Sequence, residues 1–253
     1  TSGTENSGTF NWDDRSGKKD YASYGNRGER YLATVAYLDG ADKAPCAIFS
    51  RGYYTYAYLW AVRFVDGQIK DRWYHASDSK TQYKLTTASG TTTTYTAPAT
   101  TSGGGSRTMY GNGNHNISVG DVDGDGEYEI IVKWDPSNSK DNSQGGKTGN
   151  VYLDCYKFDW SKGGEGVTPQ LLWRIDLGVN IRAGAHYTQF MVYDFDRDGR
   201  AEMMCKTAPG SKDGQGNYVS AASTVSAIKS VNNNRDWRNG DGRIDGGYEF
   251  LTV

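Results

Sequence analysis

The chain has 253 residues, with 28 Lys plus Arg against 30 Asp plus Glu and a net charge of −2. That balance excludes the basic excess expected of a nucleic-acid binder, and no apolar run is long enough to span a membrane. Hydrophobic content is only 36%, yet 19 Tyr, 7 Trp and 7 Phe supply apolar area for a core, and 33 Gly against 5 Pro point to turns made by Gly, Asn and Asp.

The first twenty residues are rich in Ser, Gly, Asn and charge, and are expected to cross the surface or fray. After them, apolar residues come in short runs between turn signals. Cys46 to Phe49, Glu129 to Lys133, Asn150 to Tyr156, Gln170 to Ile175 and Ala201 to Lys206 each predict a strand. Asp66-Gly67 and the Asp159 to Gly164 stretch predict hairpin connections. Thr86 to Ser106 reads TTASGTTTTYTAPATTSGGGS and is expected to be a mobile loop or linker, dividing the chain into 1–85 and 107–253. The best helical signal, Ala221 to Lys229, is weak. Many short strands with polar turns predict an all-β sandwich, barrel or propeller.

Cys46, Cys155 and Cys205 lie far apart in apolar stretches. An odd count without a CxxC pair predicts buried free thiols rather than a disulfide framework or zinc knuckle. The chain opens on Thr1 rather than Met, as expected of a processed or trimmed protein.

One unit occurs twice. Asn116 to Ile130 and Phe190 to Met203 each read as a strand, an acidic loop and a second strand, as repeat architectures require. The loops are DxDxDG motifs: Asp121, Asp123 and Asp125 with Glu129, and Asp194, Asp196 and Asp198 with Glu202. Alternate carboxylates converge on a tight turn, and Gly126 and Gly199 permit that turn. The position-7 carbonyls of Glu127 and Arg200 add an oxygen, and the Glu at position 9 closes the shell. An all-oxygen set of this kind suits Ca2+. Flanking strands rather than helices exclude an EF-hand, so the ions are expected to staple β-turns rather than to catalyse.

Other clusters are polar without being turn-like. Lys133-Trp134-Asp135-Pro-Ser-Asn138 directly follows a strand, where sites commonly sit. In Asn180-Ile-Arg182-Ala-Gly-Ala-His186-Tyr187, the His reads from the residues alone more readily as a structural residue than as an acid–base group beside a cation. Gly113-Asn-His115-Asn could supply metal ligands. Arg51-Gly-Tyr53-Tyr54 sets aromatic planes beside a cation, suited to an acidic sugar or to a packed strand face.

Together these segments resemble the rhamnogalacturonan lyases of polysaccharide lyase family 11. The resemblance rests on Lys133 to Gln144, Asn180 to Phe190, Arg51 to Tyr54, Gly113 to Asn116, Ser23 to Arg27, Tyr37 to Gly40 and Arg238 to Val253. It implies an eight-bladed, calcium-binding β-propeller. It also implies a secreted enzyme that cleaves the rhamnose–galacturonate backbone of rhamnogalacturonan I, an acidic plant cell-wall polysaccharide, by β-elimination. Neither nucleic acid nor membrane is an expected partner; further modules of a longer chain are. Elimination needs the C5 proton of galacturonate removed while a cation stabilises the enolate-like intermediate. Lys133, Arg182, His186 and Tyr187 are the catalytic candidates this implies. Arg51, Tyr53, Tyr54, Trp134 and Asn138 are substrate-binding candidates. Asp135 and His115 would be metal or substrate ligands. Two departures stand out. The chain is short for the family, which predicts a partial or rearranged propeller. The Ser23, Arg51 and Gly113 motifs precede the Lys133 motif, whereas the family order is the reverse. The alternative function is a calcium-stabilised propeller that binds a glycan or protein without catalysis.

Overall fold

The computed structural model describes residues 2–5, 8–11, 31–51, 55–56, 58–76, 82–86, 90–96, 111–112, 117–136, 138–140, 142–159, 169–184 and 187–253. The strands in chain order are β1 (Ser2–Glu5), β2 (Gly8–Asn11), β3 (Tyr31–Ala36), β4 (Cys46–Arg51), β5 (Thr55–Tyr56), β6 (Tyr58–Val65), β7 (Gln68–Ala76), β8 (Gln82–Thr86), β9 (Thr92–Thr96), β10 (Gly111–Asn112), β11 (Ile117–Gly120), β12 (Glu129–Trp134), β13 (Tyr152–Lys157), β14 (Gln170–Asp176), β15 (Phe190–Tyr193), β16 (Glu202–Thr207) and β17 (Phe250–Thr252). The fold is all-β, as the punctuation of the sequence predicts, and no described sheet closes on itself. No helix among the described residues is long and apolar enough to cross a membrane.

Three antiparallel sheets carry the core: β3-β4-β6-β7, β11-β12-β13-β14 and β15-β16-β17. The middle sheet is buried on both faces. Side chains alternate across a strand, so Ile130, Val132 and Trp134 of β12 meet Ala36, Cys46, Ile48, Leu59 and Ala61 of the first sheet. On the other side, Leu153 of β13 joins Leu177, Ile181, Ala183, Cys205 and Ala208, with Phe190 and Met203 of the third sheet packed against them. All of β12 is buried, the pattern of a strand covered on both faces. Cys46, Cys155 and Cys205 are buried thiols rather than disulfides, as predicted. Burial pushes the Cys205 thiol up to about 11 and that of Cys155 well above its usual value.

Asp66-Gly67 forms the predicted two-residue hairpin. Val65 pairs with Gln68, and both turn residues are left-handed, with φ of 51° and 75°, as a type I′ turn requires. The connection at 159–164 lies mostly outside the described residues, but the strands it joins, β13 and β14, pair as expected. Three expectations are corrected. Thr92–Thr96, inside the predicted mobile loop, pairs with β8 as a hairpin. Threonine's branched Cβ favours extended backbone whatever the complexity of the sequence. Ser2–Glu5 and Gly8–Asn11, within the segment expected to fray, form a second hairpin. The helical stretch is two separate short turns, a 3-10 turn at Val219–Ala222 and α1 at Ser226–Lys229, because Ser223 and Val225 adopt extended backbone between them.

Candidate functional site

The acidic loops stand side by side at one end of the stacked sheets. The loop between β11 and β12 carries Asp121, Asp123 and Glu129, whose oxygens lie within 4.8 Å of one another; Asp194, Asp196 and Glu202 repeat the cluster between β15 and β16. The internal bonding repeats as well. Glu129 accepts from the amide of Val122 at 2.8 Å, and Glu202 from that of Phe195 at 2.9 Å. Asp121 caps the amides of Gly124, Asp125 and Gly126, and Asp194 those of Asp198 and Gly199. Asp125 and Asp198 instead turn toward the amides of Glu127 and Arg200. Positions 1, 3 and 9 thus converge, and position 5 braces the turn. An oxygen-only set of this geometry fits a hard cation such as calcium.

The loops differ in one respect that the sequence did not signal. Lys157, on β13, places its ammonium 2.7 Å from Asp123, 2.5 Å from Asp125 and 3.3 Å from Glu129. Burial works against that charge, but the bonds to Asp123 and Asp125 outweigh it and raise the lysine's pKa. Burial also pushes Glu129 up to about 7, against the Val122 amide and the lysine. Among the described residues, no lysine pairs with the second cluster.

The strand directions put the other candidates at the opposite end. Tyr128 donates to Tyr37 and Ala201 to Asp121, so the β3–β4, β11–β12 and β15–β16 turns share one end. Therefore β4, β12 and β14 all finish at the other, on the order of 20 Å away along a six-residue strand. Arg51 ends β4, Asp135 follows β12, and Arg182 and Tyr187 follow β14. Tyr53, Tyr54, His115 and His186 lie outside the described residues, as does the side chain of Arg51.

Lys133, Asp135 and Tyr187 come together. Lys133 is fully buried, ion-paired to Asp135 at 3.2 Å, and donates to the Tyr187 carbonyl at 2.9 Å. Burial raises the Asp135 pKa, and the lysine charge opposes it. The Tyr187 ring lies against Gly184, where a Cβ would fall 2.6 Å from two ring carbons and 2.4 Å from the Lys140 carbonyl. Only glycine permits that approach. The Tyr187 hydroxyl is buried without a hydrogen-bond partner among the described residues.

Arg182 sits elsewhere on this end and spends its fork on backbone. It donates to the carbonyls of Gly146 (3.1 Å), Asp241 (3.2 Å), Gly242 (2.7 Å) and Gln144. It thereby ties the loop after β12 to the 236–243 loop. Arg243 to Asn142, Arg238 to Thr148 and Lys147 to Asp236 add three further straps. Asn138 accepts from the Gly149 amide at 2.8 Å, which fixes the base of the same loop. Trp134 corrects its sequence reading: at 1% exposure it is a core residue that presents no face to a sugar. Its indole donates to Tyr156, which donates to Asp154, which receives the Arg174 fork at 2.7 and 2.6 Å. Arg238, Arg243 and the Arg174–Asp154 pair escaped sequence reasoning because an isolated Arg in a loop or strand names no partner.

The family model described as "Rhamnogalacturonan lyase family 11, C-terminal domain" matches residues 3–97 and 91–253. The chain is 57% identical over 139 residues to the rhamnogalacturonan endolyase YesW of Bacillus subtilis (strain 168), and 53% identical over 139 residues to the rhamnogalacturonan exolyase YesX of the same organism. Each match covers 55% of this chain and 19% of the relative, so the matched part spans about a fifth of those relatives' length. The crystal structure of the exotype rhamnogalacturonan lyase YesX aligns at a TM-score of 0.48 with 37% identity, over 81% of this chain and 28% of that one. With most of its length matched by that one model, the chain belongs to rhamnogalacturonan lyase family 11.

Proposed function

We propose that this chain works in rhamnogalacturonan cleavage by β-elimination, at the end of the sheets where β4, β12 and β14 finish. The sheets read as successive blades of a β-propeller, since each is an antiparallel meander laid face to face on the next. The substrate is an acidic cell-wall polysaccharide, which implies a secreted setting. The observation that carries this reading is the separation of the two polar ends. It leaves the acidic loops free to act as structural staples, with Lys133, Asp135, Arg182 and Tyr187 at the other end.

Asp121, Asp123 and Glu129 would hold one calcium and Asp194, Asp196 and Glu202 a second, with the Glu127 and Arg200 carbonyls available to each. Calcium there would neutralise the clustered carboxylates and fix the turns. Elimination needs a group to take the C5 proton and a cation to stabilise the charge that develops on the uronate. Tyr187 has the spare hydrogen-bonding capacity to serve, and His186 adjoins it in sequence. Arg182 acts as the clamp that shapes the loops around the substrate. Asp135 is the counter-ion of Lys133.

The test is the ultraviolet absorbance of unsaturated uronate when the folded chain is mixed with rhamnogalacturonan I. A steady rise supports the lyase; a flat trace from folded, calcium-loaded protein overturns it for this chain. A non-catalytic glycan-binding module is the second reading, favoured by the structural commitment of Lys133 and Arg182. Glycan binding measured by calorimetry without any rise would establish it.

A further inference from the structure

Three non-glycine residues among those described have left-handed backbone: Asp66, Thr188 and Arg197. Asp66 lies in the hairpin turn, and Arg197 is an exposed residue of the second acidic loop. Thr188 differs from both. It is β-branched, 6% exposed, and has a φ of 55°. Such a residue avoids this conformation, because its Cβ crowds the adjoining carbonyl. It persists only where the surroundings over-determine it, and strain of this kind clusters at functional sites.

The constraint is visible one residue earlier. The Tyr187 carbonyl accepts from Lys133 Nζ at 2.9 Å and from the Thr188 hydroxyl at 2.6 Å. Lys133 has no freedom to move, being wholly buried and paired with Asp135. The Tyr187 amide donates to the Gly184 carbonyl at 3.1 Å. The result is a tyrosine ring seated against Gly184 with a phenol unpartnered among the described residues. A buried phenol without a partner carries a desolvation penalty that a ligand hydroxyl or carboxylate would relieve.

We propose that Lys133 is a positioning residue: its ammonium, anchored by Asp135, locks the Tyr187–Thr188 turn and so sets the Tyr187 phenol for a galacturonate-containing chain. This rests on the lyase reading, and it removes Lys133 from the groups that exchange a proton with substrate. A proton acceptor needs a free lone pair, whereas the Lys133 ammonium is held charged between the Asp135 carboxylate and the Tyr187 carbonyl.

The experiment replaces the ion pair as a unit, Lys133→Met with Asp135→Leu, so that no unpaired charge is left buried. Thr188→Gly is made in the parent and in that background. Cleavage by the pair variant is expected to fall about a hundredfold, as for a displaced catalytic group. Adding Thr188→Gly should restore much of the rate, because glycine keeps the left-handed turn without a clamp. A pair variant as fast as the parent overturns the proposal. So does a pair variant that Thr188→Gly leaves unrescued, since a directly reacting lysine cannot be replaced by a backbone change. Thermal unfolding tests the idea even if the parent cleaves nothing. Thr188→Gly should raise the melting temperature of the parent and fail to raise that of the pair variant. An equal shift in both backgrounds shows that Lys133 and the turn are uncoupled, whatever becomes of the lyase reading.

Discussion

The backbone amide of Ala201 donates to the carbonyl of Asp121 across 2.7 Å, joining the third sheet to the second. Tyr128 makes the same bond to Tyr37 across 2.9 Å, joining the second sheet to the first. In each case the donor immediately precedes the second strand of its sheet, and the acceptor immediately follows the first strand of the sheet before it. The acidic loops are therefore laid down by one packing rule used twice.

That rule predicts a sharp requirement at Gly120. A Cβ there would fall 2.7 Å from Val192 Cγ1 and 2.8 Å from the Ala201 Cβ. Gly120→Val should destabilise by roughly 1–3 kcal/mol, the usual cost of overpacking, and lower the melting temperature. An unchanged melting curve would show that the third sheet does not lie against β11 in this register.

If calcium fills both acidic loops, Lys157 should make them differ in their response to its removal. In the first loop its ammonium meets Asp123, Asp125 and Glu129, so part of the carboxylate repulsion is offset without metal. Chelation should lower the melting temperature of the parent, because an ion bound only by the native state stabilises it. Lys157→Met should widen the gap between calcium-loaded and chelated protein. A gap that shrinks, or no effect of chelator on either protein, would rule against calcium as the staple.

The acidic loops were legible because DxDxDG encodes its own geometry: the carboxylates, the turn and the flanking strands lie within one short segment. The strands at Cys46 to Phe49 and Glu129 to Lys133 were legible for the same local reason. What escaped were relationships that strand pairing creates. Lys157 reaches Glu129 only because β13 pairs with β12, and Arg174 faces Asp154 only through the β13–β14 register. Trp134 looked like a sugar platform because its polar neighbours mark a loop. Yet it is the last residue of a strand buried on both faces. Arg182 looked like a uronate clamp because a guanidinium suits carboxylates, and no sequence reveals that four carbonyls will claim it first.

Asp236 supplies a pH signature. The Arg238 fork first, and then Lys147, hold its carboxyl below the ordinary carboxylate range. A depressed acid adds stability above its unfolded value, near 3.8, and loses it as the pH falls through the lower folded value. Asp236→Asn should therefore lower the melting temperature at neutral pH, and the difference from the parent should shrink well below pH 3.8. The group is partly exposed, so the effect is small and screened by salt. A deficit that stays constant across the acid range would assign it to lost hydrogen bonds rather than to charge.

The Asp154–Arg174 pair should behave differently when broken and when replaced. Asp154 is fully buried, and its oxygens accept from Arg174 and from Tyr156. Arg174 also lies 5.4 Å from the centre of the Tyr152 ring. Asp154→Ala strands the guanidinium between strands and leaves the Tyr156 hydroxyl without its acceptor. The loss should be about 3–5 kcal/mol, enough to cripple folding of a marginally stable domain. Asp154→Leu with Arg174→Met removes both charges and refills the space, and should recover most of that loss. Denaturant titration of the single and double variants, compared as a cycle, measures the coupling. A double variant no more stable than Asp154→Ala would show that the sheet needs the ionic network itself, including the Trp134–Tyr156 link that holds the strand leading to Asp135.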